Sequence, residues 1–469
     1  MIKYYFNYAS KLLFIIDKKI SKILPLIILF LFASVIEIIG IGLIIPFINL
    51  ILSPENFNEI SFFNKISFGS FNEKLIWFSA VLMIIFIIKA VLSIYIRWKI
   101  SKFAYEQYAY LQTKMLSLYQ KMNYIDFTKR NYTDYTRNIK EMTSSVISAI
   151  EIYLRLVSEV IIFIIIIAYL CFVNVKVVIS LVLILGFIGF IFEYFLKPLA
   201  TKYGKAKTEA SSLIYQGIDS AIKGKKEIKI LQKENFFLNI LKVGADKVCL
   251  NETKQSLISN SPRYILELVL IIFLLSFLTI LVLANDDITA VLPVLSVFAV
   301  AGARLLPGSA VIIHSFNMLN YFNNAVLIIY NDVKKFKNPF VKREDKPLKH
   351  IKKILFKNLE LKNIFFKYPS SKKYILKNIS IKLKAKECIG IVGLSGSGKT
   401  TLMDLILGLV KPNKGKIFLN GQEIDTNSKT WLKLVSYLPQ EPLVMENSIK
   451  TNVSFDNNKT KKDIKKINF

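Results

Sequence analysis

Six apolar stretches, at 23–52, 75–98, 153–173, 177–196, 264–284 and 288–313, constrain this chain more than any other feature. A helix needs about 20 predominantly apolar residues to cross roughly 30 Å of hydrocarbon, and each stretch is long enough to do so. Composition agrees: 53% of residues are hydrophobic, Phe and Tyr number 35 and 22, and the mean hydropathy is +0.44. Such a chain exceeds the apolar content of an average soluble domain and is expected to be integral to a membrane. The first stretch is too long for a signal-peptide core and no small-residue cleavage site follows it, so it is expected to stay as a span.

The formal charge of +30 would suit a nucleic-acid binder, but most of the excess flanks the apolar stretches, so topology explains it better and no nucleic-acid partner is expected. A Lys- and Asn-rich genomic bias is an equal alternative for part of it. The connections 99–151 and 197–263 are long, basic and helically periodic, which places them on the cytoplasmic side. The connections 53–74, with Glu55, Glu59 and Glu73, and 285–287, Asn-Asp-Asp, are acidic, as expected outside. Both termini are then cytoplasmic. If the spans continue as helices beyond the bilayer, each basic connection forms a long hairpin, with tips near 124–131 and 216–225. Ordinary solvated connections are the alternative. The cysteines Cys171, Cys249 and Cys388 have neither metal nor disulfide spacing.

Composition changes after a basic linker at 334–353. Short β-rich runs appear at 359–366, 375–383 and 388–392, and the last leads into Gly393-Leu394-Ser395-Gly396-Ser397-Gly398-Lys399-Thr400. This is a complete phosphate-binding P-loop, and residues 400–409 read as the helix that should follow it. Glycines let the backbone turn so that successive N–H groups converge on phosphate oxygens at a helix N-terminus. Lys399 adds a point charge for the terminal phosphates, and Thr400, with Thr401 beside it, supplies hydroxyl chemistry suited to Mg²⁺. ATP and Mg²⁺ are the cofactors this motif implies. Ile417-Phe418-Leu419 followed by Asn420-Gly421 reads as a strand entering a tight turn.

With these motifs in order, the chain resembles an ABC exporter half-transporter of the type IV architecture. That is an α-helical membrane domain of six long spans (1–333) followed, after the linker, by an α/β P-loop nucleotide-binding domain (354–469). The resemblance implies that Tyr368, in Phe366-Lys367-Tyr368-Pro369, stacks on adenine. It implies that Gln440, in Pro439-Gln440, is a Q-loop residue near Mg²⁺ and the attacking water, and that the hairpin tips are coupling helices. A bacterial inner membrane and a homodimer, or a second half-transporter, follow from the same likeness. Ser261-Pro262-Arg263-Tyr264-Ile265-Leu266-Glu267, Arg304-Leu305-Leu306-Pro307 and Ile36-Glu37 ahead of Pro46-Phe47 are similar to bacterial lipid-linked oligosaccharide flippases. The implied substrate is a polyprenyl-diphosphate-linked glycan or related amphiphile.

Departures shape the expectation. No Leu-Ser-Gly-Gly-Gln signature, Asp-Glu-ended strand or switch histidine follows Gln440, and the two histidines, His314 and His350, lie upstream of the P-loop. As written, the nucleotide-binding domain is expected to be truncated and incompetent for hydrolysis, because the general base and Mg²⁺-holding Asp that carry phosphoryl transfer are missing. A central parallel sheet would then be left incomplete. Lys386 also stands where the family has a turn glycine. An exporter of peptide or another glycolipid and a non-hydrolysing ATP-binding partner are the alternative functions.

Ionisable residues within spans are costly and often functional. Glu37, Lys89, Arg155, Glu159, Glu193, Glu267 and Arg304 lie in or beside apolar stretches. Two readings stay open: they snorkel or pair between helices, or Lys89, Arg155 and Arg304 offer charge to a diphosphate headgroup.

Overall fold

The computed structural model describes residues 2–17, 20–52, 71–173, 175–283, 288–337, 355–369, 371–426, 428–440 and 442–455. The acidic connection 53–74 falls mainly outside them, as does the linker 334–353; 285–287 and the tail 456–469 fall wholly outside. The chain divides into two compact units, Met1–Met122 with Arg130–Pro339, and Asn123–Lys129 with Phe340–Phe469.

The first unit is helical. In chain order it holds α1 (Ile2–Ile15), α2 (Ile20–Gly42), α3 (Ile44–Leu52) and α4 (Phe71–Gln120). Next in the chain comes the short α5 (Tyr124–Phe127), which belongs to the second unit, and then α6 (Tyr132–Arg137). A π-helical turn (Asn138–Met142) leads into α7 (Thr143–Val173), α8 (Val175–Lys223), α9 (Lys225–Leu231), α10 (Glu234–Leu283) and α11 (Ile288–Lys337). Four helical stretches among the described residues are long and apolar enough to cross a membrane: Ser21–Ile48, Phe71–Gln120, Tyr132–Val173 and Val182–Lys223. The expected fifth and sixth spans lie on α10 and α11, where most side chains between 273 and 299 are outside the described residues.

Length and exposure explain the class. α4 has 50 residues, and at 1.5 Å per residue it reaches about 75 Å, more than twice the hydrocarbon thickness. Ile84, Ile87, Val91 and Ile94 on α4, and Leu183, Phe187 and Phe190 on α8, are exposed. An apolar surface of that extent is suited to lipid or to a partner's helices rather than to water. The buried core instead joins Ile15, Phe30, Leu111, Met115, Val146, Leu319, Val326 and Ile329 from α1, α2, α4, α7 and α11.

The second expected hairpin tip differs from the structure. Gly217 lies within α8, where an added Cβ would stand 3.2 Å from Ile240 Cγ2 of α10. The glycine serves helix packing, and the turn falls between Gly224 and Lys233, with Gln232 at φ 53° closing α9.

In the second unit, β1 (Asn358–Phe366), β2 (Leu376–Lys384), β3 (Lys414–Leu419) and β4 (Gln422–Glu423) form one antiparallel sheet of order β2-β1-β3-β4. Leu359, Leu361, Ile364 and Phe366 are buried, so the period of two slips once along β1. Asn363, at φ 49°, sits at that slip, and Gly415 of β3 lies against it. An added Cβ at Gly415 would stand 2.4 Å from the Asn363 carbonyl oxygen. The Asn420-Gly421 turn is as expected: both residues have positive φ and Leu419 pairs with Gln422, the two-residue hairpin geometry. α12 (Lys399–Ile406), α13 (Lys429–Leu432) and α14 (Ile449–Ser454) complete the unit. Leu402, Leu405 and Val410 pack with Trp431 and the inner face of β1 and β3, and Trp431 Nε1 donates to the Ile406 carbonyl at 2.8 Å. Ile125 of α5 packs against this same core.

The run 388–392 is not a strand. It is irregular and exposed, with Val392 95% accessible, and 433–440 is likewise irregular, with Leu438 at 88%. Apolar runs of this kind form strands in parallel sheets, where neighbours satisfy their backbone and cover both faces. Among the described residues the sheet is wholly antiparallel, so neither run has a ladder to join.

Candidate functional site

The P-loop is positioned by its contact with β2. Gly398, at φ +95°, begins α12, and an added Cβ there would lie 3.0 Å from Ile375 Cγ2 and 3.1 Å from Leu376 Cδ2. Only glycine satisfies both the left-handed backbone and this approach. Ile375 N in turn donates to the Phe366 carbonyl at 2.9 Å, and Leu376 pairs with Phe366. The loop and the turn carrying Tyr368 are therefore built on one strand pair.

Gly396 also has positive φ, +80°. Ser397 N donates to the Leu394 carbonyl at 3.2 Å, and Leu402 N to that of Gly398 at 2.9 Å, so the loop closes on itself before the helix starts. The Lys399 ammonium reaches back over the loop, donating to the carbonyls of Gly393 at 2.7 Å and Leu394 at 2.8 Å. Ser395, Ser397 and Thr400 are exposed, whereas Thr401 is buried at 7% accessibility. Thr401 therefore faces the core of the unit. Tyr368 is half-buried, edge-on to Phe366 at 5.1 Å between ring centroids. Gln440 lies exposed on the irregular segment after Pro439. Burial raises the Asp404 carboxyl above the usual range on α12, and burial followed by the charge of Asp404 raises the Tyr124 hydroxyl of α5.

This loop fits a nucleotide's phosphates: left-handed glycines shape a backbone concavity, a long-stemmed ammonium sits at its mouth, and hydroxyls lie at the helix start.

The first unit holds a charged cavity of about 410 Å³, and Lys89, Arg155 and Arg304 all line it. Arg304 Nε donates to Glu37 Oε1 at 3.0 Å and its Nη2 to Glu159 Oε2 at 3.1 Å, while Lys89 Nζ stands 2.8 Å from the same Glu37 oxygen. The other carboxylates are paired too, Glu193 with Lys197 at 3.0 Å and Glu267 with Arg263 at 3.0 Å. Lys89 and Arg304 are thus committed to carboxylates. Arg97 and Glu151 also line the cavity, and Ser101 donates to Glu151 at 2.8 Å. Neither residue lies among the span-embedded charges picked out above, though the sequence carries a signal for both. Lys89, Ser93 and Arg97 recur every four residues on α4, as do Glu151, Arg155 and Glu159 on α7, the spacing of one helix face. A second cavity, of about 650 Å³, places Arg155 with Arg263, Glu267 and His314.

Residues 376–468 match the family model described as ABC transporter. An export ATP-binding/permease protein of Rickettsia bellii is 41% identical over 133 residues, 28% of this chain and 23% of that protein. ABC transporter B family member 26, chloroplastic, of Arabidopsis thaliana is 35% identical over 111 residues, 23% of this chain and 16% of its own length. A sophorolipid transporter of Starmerella bombicola is 36% identical over 99 residues, 21% of this chain and 8% of its own. The match with each spans less than a quarter of that relative's length. Long apolar helices and a segment similar to ABC transporters thus occur in one chain.

Proposed function

We propose that this chain belongs to an ABC exporter half-transporter whose assembly uses ATP and Mg²⁺ to move an amphiphile across a bacterial inner membrane, with the signature motif and catalytic glutamate supplied outside residues 1–469. The observation that carries the reading is the P-loop on its antiparallel platform, within the ABC-matched segment, in the same chain as helices long enough to span a bilayer. In this reading the membrane domain has six spans with cytoplasmic termini, and a second copy or another half-transporter completes the assembly. The loop amides of 393–398 bind phosphate oxygens, Lys399 exchanges its loop carbonyls for the terminal phosphates, Thr400 and Gln440 serve Mg²⁺, and Tyr368 stacks on adenine. Bound ATP would supply the free energy of a phosphoanhydride to the cycle. Helix α5 acts as a coupling element.

The substrate is a polyprenyl-diphosphate-linked oligosaccharide. The charged cavity supports this: Lys89, Arg97, Arg155 and Arg304 face Glu37, Glu151 and Glu159, leaving one cation in excess. Of the three cations read from sequence, Arg155 stands between both cavities, where a guanidinium can grip a diphosphate bidentately. A second reading, a glycolipid without diphosphate, is favoured by the similarity to a sophorolipid transporter.

Binding of a fluorescent ATP analogue with Mg²⁺ to the purified chain tests the nucleotide site. Lys399→Ala should weaken it about ten- to a hundredfold, the worth of a charged hydrogen bond. Unchanged affinity would overturn the assignment.

A further inference from the structure

The first unit contains a cavity of another kind, about 450 Å³, walled by Phe163 of α7, Phe190 of α8, Leu266 of α10, and Ile313 and Phe316 of α11. Its volume is within the range of small-molecule sites. Gly186 and Gly189 of α8 form part of the wall, and an added Cβ at either would meet nothing within 4 Å. The neighbouring Leu183, Phe187 and Phe190 are exposed on the same helix, so the cavity adjoins the lipid-facing surface.

Three polar side chains, Glu193, Ser309 and Asn317, interrupt this apolar lining. Ser309 and Asn317 are buried, at 7% and 2% accessibility, and among the described residues neither the Ser309 hydroxyl nor the Asn317 side-chain amide nitrogen has a hydrogen-bond partner. A helical serine can relieve such a deficit by rotating toward the carbonyl one turn back, as Ser315 does toward Val311 at 2.7 Å. The Asn317 amide nitrogen makes no such bond either, although the Asn251 and Asn260 amides donate to the carbonyls of Lys247 and Ser256 at 2.6 and 2.9 Å, and a buried unpaired donor is costly. What would satisfy it is an acceptor carried by an otherwise apolar ligand. The charged end of the cavity lies close by: Phe316 packs on Tyr5 at 4.6 Å, Tyr5 donates to Glu193 at 3.1 Å, and Lys197 holds Glu193 at 3.0 Å. Glu193 is thus the charged side chain of the lining, and Lys197, one turn along α8 and partly exposed, neutralises it.

We propose that this cavity binds one acyl chain of an ester-linked anionic phospholipid from the surrounding bilayer, with its ester carbonyl on Asn317 and its phosphate toward Lys197. This resident lipid is distinct from the transported substrate, whose polyprenyl tail carries no acceptor to offer Asn317. The site depends on the first unit alone, not on nucleotide binding.

Photolabelling tests the assignment. Phosphatidylglycerol with a diazirine in one acyl chain is added to the delipidated, detergent-solubilised full chain, and labelled peptides are mapped by mass spectrometry. Labels should fall within 182–193 and 309–317. Unlabelled ester-linked phosphatidylglycerol should compete about tenfold better than its ether-linked analogue, and Asn317→Leu should erase that preference while Ser309→Ala keeps it. Gly189→Trp should cut labelling about tenfold; Gly186→Leu, a gentler filling of the same space, should lower it too if the tryptophan variant does not fold. Equal competition by ester and ether lipids, labels elsewhere, unchanged labelling in both filled variants, or better competition by polyprenyl phosphate would overturn the proposal.

Discussion

At the residue scale, Glu37 is the pivot of the charged cavity, since both Lys89 and Arg304 bond the same carboxylate oxygen on a side chain only 5% exposed. Glu37→Gln leaves two cations competing for a neutral acceptor. It should destabilise the chain by about 2 kcal/mol, less than a fully buried pair because the two cations are about a quarter exposed; thermal unfolding in detergent measures this. Lys386 offers the opposite opportunity, with φ 64° in a turn where glycine is free of strain. Lys386→Gly should stabilise by about 0.5–1 kcal/mol, the left-handed penalty less glycine's entropy; an unchanged or lowered midpoint would contradict it. Asp404 gives a pH signature. Its folded-state pKa is raised, so the unfolded chain ionises first as pH rises, and the folded state loses stability from about the ordinary value, 3.8, upward through the raised one. Asp404→Asn should therefore unfold later than the wild type at pH 7, with the advantage vanishing as pH falls below 3.8.

At the element scale, the tightest approach among the described glycines is at Gly204 of α8, where a Cβ would lie 2.0 Å from the Tyr321 carbonyl oxygen of α11. Gly204→Ala must force the α8 and α11 backbones apart and should cost at least about 3 kcal/mol, read as loss of folded protein on size exclusion. Legibility also divides by element. The P-loop, the start of α12, β1, β2 and the Asn420-Gly421 turn could be read from sequence because local backbone chemistry decides them. The run 388–392 could not, since a strand needs neighbours and its apolar composition says nothing of which neighbours exist. Gly217 lies within the expected 216–225 tip but packs a helix instead, because glycine has two uses and the contact with Ile240 that selects one of them is remote in sequence. The pairing of Glu37 with Lys89 and Arg304 likewise joins three helices whose register no spacing reveals.

At the scale of the whole molecule, the segment Asn123–Lys129 belongs to the second unit although its sequence lies between helices of the first. Ile125 is its apolar anchor. Ile125→Asp should leave affinity for the ATP analogue within about twofold while lowering nucleotide-dependent transport about tenfold or more, because a buried charge expels the anchor; parallel loss of both would make α5 merely structural. That nucleotide drives an amphiphile across the bilayer is tested most directly by translocation of a fluorescent polyprenyl-diphosphate oligosaccharide in proteoliposomes, with the signature motif and catalytic glutamate, which residues 1–469 do not contain, restored from a full-length homologue. Movement should require ATP with Mg²⁺, be abolished by Lys399→Ala and fall about tenfold in Arg155→Ala. Movement that persists without nucleotide, or is indifferent to Lys399→Ala, would contradict it.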